Sequence, residues 1–79
     1  MNETEIRSRI IEILHRVAPE ADLNALDPGE PLREALEIDS FDFLNVVIAL
    51  NEAFGVTIPE SDYARISTLR GMTDYLSRL

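Results

Sequence analysis

Fourteen residues from Phe41 to Phe54 run without a proline or a glycine, and Gly55 follows them directly. A run of this length and apolarity settles as one continuous helix. Leu44, Val47, Leu50 (or Asn51) and Phe54 recur at helical spacing, and Phe43, Val46 and Ala53 widen the apolar stripe beyond what a surface helix needs. The pattern therefore predicts a central helix touched on several sides. Its start is marked by Asp39 and Ser40, either of which can accept hydrogen bonds from the free N–H groups of the first turn. Asp42 adds negative charge where a helix end is positive. Gly55 suits the left-handed position that closes such a helix.

The rest of the chain supplies partners for this element. Residues 3–17 predict a first helix with Ile6, Ile10, Ile13 or Leu14, and Val17 inward, started by Asn2 or Thr4 and ended at Ala18-Pro19. About twenty residues then connect it to the serine helix, long enough that the segment should be pinned or functional. Leu23, Leu26, Leu32, Leu36 and Ile38 are spaced as anchors, Asp27-Pro28-Gly29 is a turn, and residues 31–36 can form one or two helical turns. After Gly55, Val56-Thr57-Ile58 is a short extended link. Pro59 and Glu60-Ser61-Asp62 open a third helix of one or two turns with Tyr63 and Ile66 facing the core, the element expected to shift most easily. Ser67 or Thr68 caps a last helix with Leu69, Met72, Leu76 and Leu79 inward and Tyr75 at the margin. Gly71 inside it implies a close neighbour. The expected fold is an all-α four-helix bundle, residues 1–79 forming one domain with three longer helices, one short third helix and a long first loop.

Several functions are excluded by what the chain lacks. With no cysteine and one histidine, His15, neither a thiolate centre, a cysteine nucleophile nor a multi-histidine metal site is available. Glu37, Asp39 and Asp42 lack the ligand spacing of a calcium loop, so no metal site is expected. Ser40 has no histidine or lysine near it in sequence to act as base, so no catalytic residue is assigned. The net charge is −8, from 15 acids against 7 arginines, which disfavours nucleic acid and anionic membranes as partners. No apolar run reaches membrane-spanning length and the N-terminus is acidic, so a cytoplasmic protein is expected, and a monomer, since nothing in the sequence demands a dimer. Seven acids and no base lie between Glu34 and Ala64, a field of one sign that favours basic partners.

Ser40 makes better sense as a modified residue than as a catalytic one. A phosphate ester there would lie beside the N-terminal amides of the helix, which favour an anion. From Ser40 onward, Phe41 and Ile48 with Asn45 and Glu52 outline a half-apolar, half-polar strip of the kind that docks a partner. A helix cap alone explains the serine but not the strip.

The string Leu36-Glu37-Ile38-Asp39-Ser40-Phe41-Asp42, followed by Leu44, Val47, Ala49-Leu50, Glu52, Phe54, Val56, Ile58-Pro59, Ile66-Ser67-Thr68-Leu69 and Tyr75-Leu76, resembles the acyl carrier protein family over essentially the whole chain. The resemblance implies that a Mg2+-dependent phosphopantetheinyl transferase moves 4'-phosphopantetheine from coenzyme A onto Ser40, with Asp39 supporting that step. It implies an acyl group carried as a thioester on the arm's thiol and presented to loading ligases, synthases and other enzymes of fatty-acid, polyketide or related biosynthesis. Phe41, Asp42, Asn45, Ile48 and Glu52 match positions that the family presents to basic docking surfaces, and Tyr63 and Ile66 match the border of its acyl cleft.

Two departures stand out. Glu37 replaces a glycine common in the family, which should stiffen the approach to Ser40. Asn45 and Asn51 stand where glutamates are usual, and Phe41 where leucine is. Both imply a specialised stand-alone carrier served by a dedicated ligase. The rival expectation is a non-carrying interaction module in which an acidic face binds a basic partner and Ser40 is only a cap.

Overall fold

A computed structural model describes residues Met1–Leu79. Helix α1 spans Glu3–Val17, the short α2 spans Leu32–Ala35, α3 spans Ser40–Phe54 and α4 spans Leu69–Ser77. Two 3-10 segments, Leu23–Ala25 and Glu60–Ile66, lie in the connections. The architecture is the all-α bundle with a long first loop, and the short third helix is the Glu60–Ile66 segment in 3-10 form. No helix is long and apolar enough to cross a membrane.

The three longer helices each begin on a capping side chain, whereas α2 starts after Pro31 without one. Asn2 accepts from the Glu5 amide, Asp39 from the Asp42 amide and Thr68 from the Gly71 amide, so one orphan donor of each first turn is satisfied. Helix α3 ends on Gly55 at φ 64°, where the Val56 amide reaches back to the Asn51 carbonyl. Asn51 also accepts the Ile58 amide through its side chain at 3.0 Å. An asparagine here therefore holds the 56–58 link against α3.

One core cluster of 16 side chains draws on every helix. Ile10, Leu14, Leu32, Val46, Leu50, Ile66 and Met72 have no exposed surface at all. Burying a leucine such as Leu32 fully contributes about 1.5–3 kcal/mol, enough to hold a loop that has little helix of its own. The long connection is pinned a second time by backbone: the Leu32 amide donates to the Ser67 carbonyl and the Arg70 amide to the Pro28 carbonyl. These bonds lock α2 to the start of α4. Gly71 explains itself in the same region, because a Cβ there would run into the Arg65 backbone carbonyl.

The packing departs from the sequence expectation at single residues, while α3 meets α1, the Glu60–Ile66 segment and the 56–58 link as a central helix should. Helix α1 packs on both α3 and α4, and the Glu60–Ile66 segment packs on α4. Helix α3 buries Val46, Val47 and Leu50 and packs Phe43, Ala49, Ala53 and Phe54 against the same core, whereas Leu44, expected inward, is 42% exposed. Leu79 is exposed beyond the end of α4, and Tyr75, expected at the margin, is buried in its place. Periodicity identifies residues that share a face, but α3 is apolar nearly all round. Which part of that surface is covered depends on where α1 and the segments after Gly55 lie.

Candidate functional site

The site begins where α2 ends. Leu32–Ala35 closes in a paired backbone motif: the Ile38 amide donates to the Arg33 carbonyl and the Glu37 amide to the Glu34 carbonyl. That closure requires a left-handed residue, and Glu37 adopts it at φ 54°. Two residues later Asp39 is extended and caps α3, its carboxylate accepting the Asp42 amide at 2.8 Å. Ser40 is therefore the first residue of α3 rather than its cap. Its side chain is exposed and takes no part in the cap.

Ser40 stands at the mouth of a groove of about 540 Å3 between α3 and the Glu60–Ile66 segment. Phe43, Leu44, Tyr63 and Ala64 give it apolar walls, and Arg33 and Ser67 add polar edges. Phe43 and Tyr63 meet edge to face across it, centroids 6.5 Å apart at 74°. Ile66 does not line the groove. It is fully buried in the core, as its inward spacing predicted, while Tyr63 lines the groove.

A second surface starts at the same serine. At 100° per residue Phe41, Leu44, Asn45, Ile48 and Glu52 fall within about 100° of arc on α3, and all five are exposed. Phe41 is 71% exposed, a large cost for an aromatic ring with no partner. Asp42 is half-buried beside this row. Phe41 and Leu44 belong to both surfaces, and periodicity assigned Leu44 to neither; Arg33, which also lines the groove, is about 100 Å of extended chain from Tyr63 and carries no sequence signal of its own.

The outer wall of the groove is tied down from behind. The Tyr75 hydroxyl donates to Asp62 Oδ2 at 2.6 Å, and the Arg65 guanidinium lies 4.8 Å above the Tyr75 ring and 4.0 Å from Asp62. Its hydrogen bond to the Asp62 carboxylate, aided by burial and the nearby negative charge and opposed by Arg65, raises the Tyr75 phenol above its ordinary pKa. Asp62 and Arg65 flank Tyr63 and Ala64 on the same short segment. The tie thus sets where the groove wall stands.

The residues fit a covalently tethered, phosphate-linked arm. An exposed hydroxyl opens onto an apolar trough, at the N-terminus of a fifteen-residue helix whose end favours an anion. No group of three or more histidine, aspartate or glutamate side chains is placed to hold a metal ion.

The comparisons with known proteins agree with this geometry. The family model for the phosphopantetheine attachment site matches residues 5–76. An acyl carrier protein of Rubrobacter xylanophilus is 35% identical over 77 residues, covering 96% of this chain and 93% of the relative. Acyl carrier proteins of Acidothermus cellulolyticus and Thermosynechococcus vestitus are each 30% identical, covering 98% of this chain and 90% and 94% of theirs. Together with a cap that leaves Ser40 unused, these matches leave the non-carrying module without support. The chain belongs to the acyl carrier protein family: it is a phosphopantetheine-bearing helical carrier, not an enzyme.

Proposed function

We propose that Ser40 is the attachment point of the arm and that this carrier presents its acyl cargo to partner enzymes through the exposed row of α3. The observation that carries the reading is the division of labour between two adjacent residues. Asp39 does the capping, which leaves the Ser40 hydroxyl exposed at the head of α3 and at the mouth of an apolar groove.

Attachment is a phosphoryl transfer from coenzyme A. The Ser40 Oγ–P bond forms as the pyrophosphate P–O bond of coenzyme A breaks, adenosine bisphosphate leaves, and the serine proton passes to a base of the transferase. Asp39 supports the step by fixing the first turn of α3 and hence the direction of the hydroxyl. The arm supplies a thiol whose thioester keeps the acyl carbonyl electrophilic. The chain's own contribution is to tether, shelter and deliver. The tether raises the effective concentration of cargo in a docked active site, and each methylene sheltered by the groove contributes about 0.8 kcal/mol.

Phe41, Asp42, Asn45, Ile48 and Glu52 form the docking row in this reading, with Leu44 added by its exposure. The surrounding acids favour enzymes with basic docking surfaces: a phosphopantetheinyl transferase, a loading ligase, synthases and later pathway enzymes. Cytoplasmic residence as a monomeric single domain belongs to the same proposal. Phe41 and Asn45 give the row more apolar surface and less charge than a glutamate-rich helix has. This supports service to a dedicated ligase in a specialised fatty-acid, polyketide or related pathway.

Intact-protein mass measured before and after incubation with coenzyme A, Mg2+ and a broad-specificity transferase tests the assignment. The wild type gains one phosphopantetheine and Ser40→Ala gains none. An unchanged mass for folded wild type, beside a control carrier that is converted, would overturn it.

A further inference from the structure

Of the seven arginines, Arg33 alone shares the groove with Ser40. The two ion pairs of the protein, Arg65 with Asp62 and Arg78 with Asp74, do not involve it. Arg9 points a guanidinium N–H at the Ala53 carbonyl, and Arg7 and Arg70 border a different surface groove. Arg33 is exposed, yet four acids, Glu34, Glu37, Asp39 and Asp42, lie within nine residues of it in sequence without pairing to it. Its backbone is held firmly, because its carbonyl accepts the Ile38 amide in the turn that leads to Ser40. The side chain is therefore an uncommitted cation on a fixed base, facing the same trough as the hydroxyl.

An anionic phosphodiester on Ser40 enters a neighbourhood where Asp39 and Asp42 repel it. The amides of α3 offset part of that repulsion. A planar guanidinium binds phosphate oxygens in pairs, and it is the group best suited to offset the rest.

We infer that Arg33 is the counter-charge for the phosphodiester of an arm attached at Ser40, holding the start of the arm along the groove toward Tyr63 and Ser67. The inference rests on Ser40 being the attachment point and adds a positioning residue to it. Bound this way, the arm lies over the groove between dockings, and a partner's basic surface competes with Arg33 for the same phosphate. Release of the arm is then coupled to docking.

The test uses the phosphopantetheinylated protein. The 31P resonance and the backbone amide shifts are recorded for wild type, Arg33→Gln, Arg33→Lys and, as a control for net charge, Arg16→Gln on α1. In wild type and Arg16→Gln, modification displaces the amides of Tyr63 and Ser67, and the 31P resonance moves as salt rises from about 0.02 M to about 0.5 M and screens the pair. In Arg33→Gln both effects are lost, and Arg33→Lys keeps the salt dependence with smaller amide displacements. Arg33→Gln that is fully modified, folded and indistinguishable from wild type in both signals would overturn the role of Arg33 and leave Ser40 as the attachment point. Wild type that gains no arm would overturn both.

Discussion

Glu37 and Gly55 hold the same left-handed backbone, φ 54° and 64°, each just past the end of a helix and each followed by an amide that reaches back to close it. Only one of them is a glycine. A residue with a Cβ spends roughly 1–2 kcal/mol in this region, and glycine spends almost none. The strain at Glu37 lies three residues before Ser40, at the point where the chain turns into the site.

Glu37→Gly removes that strain but loosens the unfolded chain, so the net gain is about 0.5–1 kcal/mol. For a domain of this size it raises the thermal midpoint by roughly 2–8 °C. Gly55→Ala does the reverse by about 1 kcal/mol, through backbone conformation alone, since a Cβ there meets nothing within 4 Å. Thermal denaturation of both variants checks the pair, and a midpoint lowered by Glu37→Gly would show that the glutamate side chain does more than endure its conformation.

The division of labour between Asp39 and Ser40 is measurable without any arm. Asp39→Ala loses the 2.8 Å cap and costs about 1 kcal/mol. Ser40→Ala, at a helical position where alanine is favoured, changes stability by less than about 0.5 kcal/mol. Urea denaturation of the two variants should separate them clearly.

Leu44 and Leu50 look equivalent in sequence and are opposite in the fold. Leu50 is fully buried and Leu50→Ala costs about 2–5 kcal/mol, a large part of the stability of so small a domain. Leu44→Ala and Ile48→Ala stay within about 0.5 kcal/mol of wild type. Their effect is expected in docking, as an increase in KM of roughly tenfold for a partner enzyme that buries the row. An unchanged KM for every partner tried would remove these residues from the interface.

The Tyr75–Asp62 tie gives the protein an alkaline sensitivity. The Tyr75 phenol is raised in the native state, so as pH passes about 10 the unfolded chain releases this proton before the native protein does. The unfolded state then binds fewer protons and stability falls with rising pH. This contribution is complete below about pH 10 and fades as pH climbs through the native value. Denaturation profiles between about pH 8 and about pH 11 should decline more steeply for wild type than for Tyr75→Phe. Tyr75→Phe also lowers stability at neutral pH by freeing the Glu60–Ile66 segment, seen as faster amide exchange there.

Local signals read well from the chain. The caps Asn2 and Thr68, the end of α3 at Gly55 and the close contact at Gly71 each follow from one residue's chemistry acting on its own backbone. What failed depended on a neighbour distant in sequence. Leu44 faces outward because α1 lies on the opposite side of α3, against Val46, Val47 and Leu50. Tyr75 moved from margin to interior because Asp62 gives its hydroxyl a partner there. Ser40, the proposed attachment serine, was legible as part of a string of residues, whereas the groove beside it and the lone Arg33 on its rim emerge only when α2, α3 and the segment after Pro59 are brought together.

The chain has five serines, at positions 8, 40, 61, 67 and 77, and only one begins α3. Fragmentation mass spectrometry of the transferase-treated protein locates the added group directly. The account predicts a single phosphopantetheine on the fragment containing Ser40, and none on fragments carrying the other four. The group found on any other serine, or on none while the protein is folded and the transferase active, would contradict it.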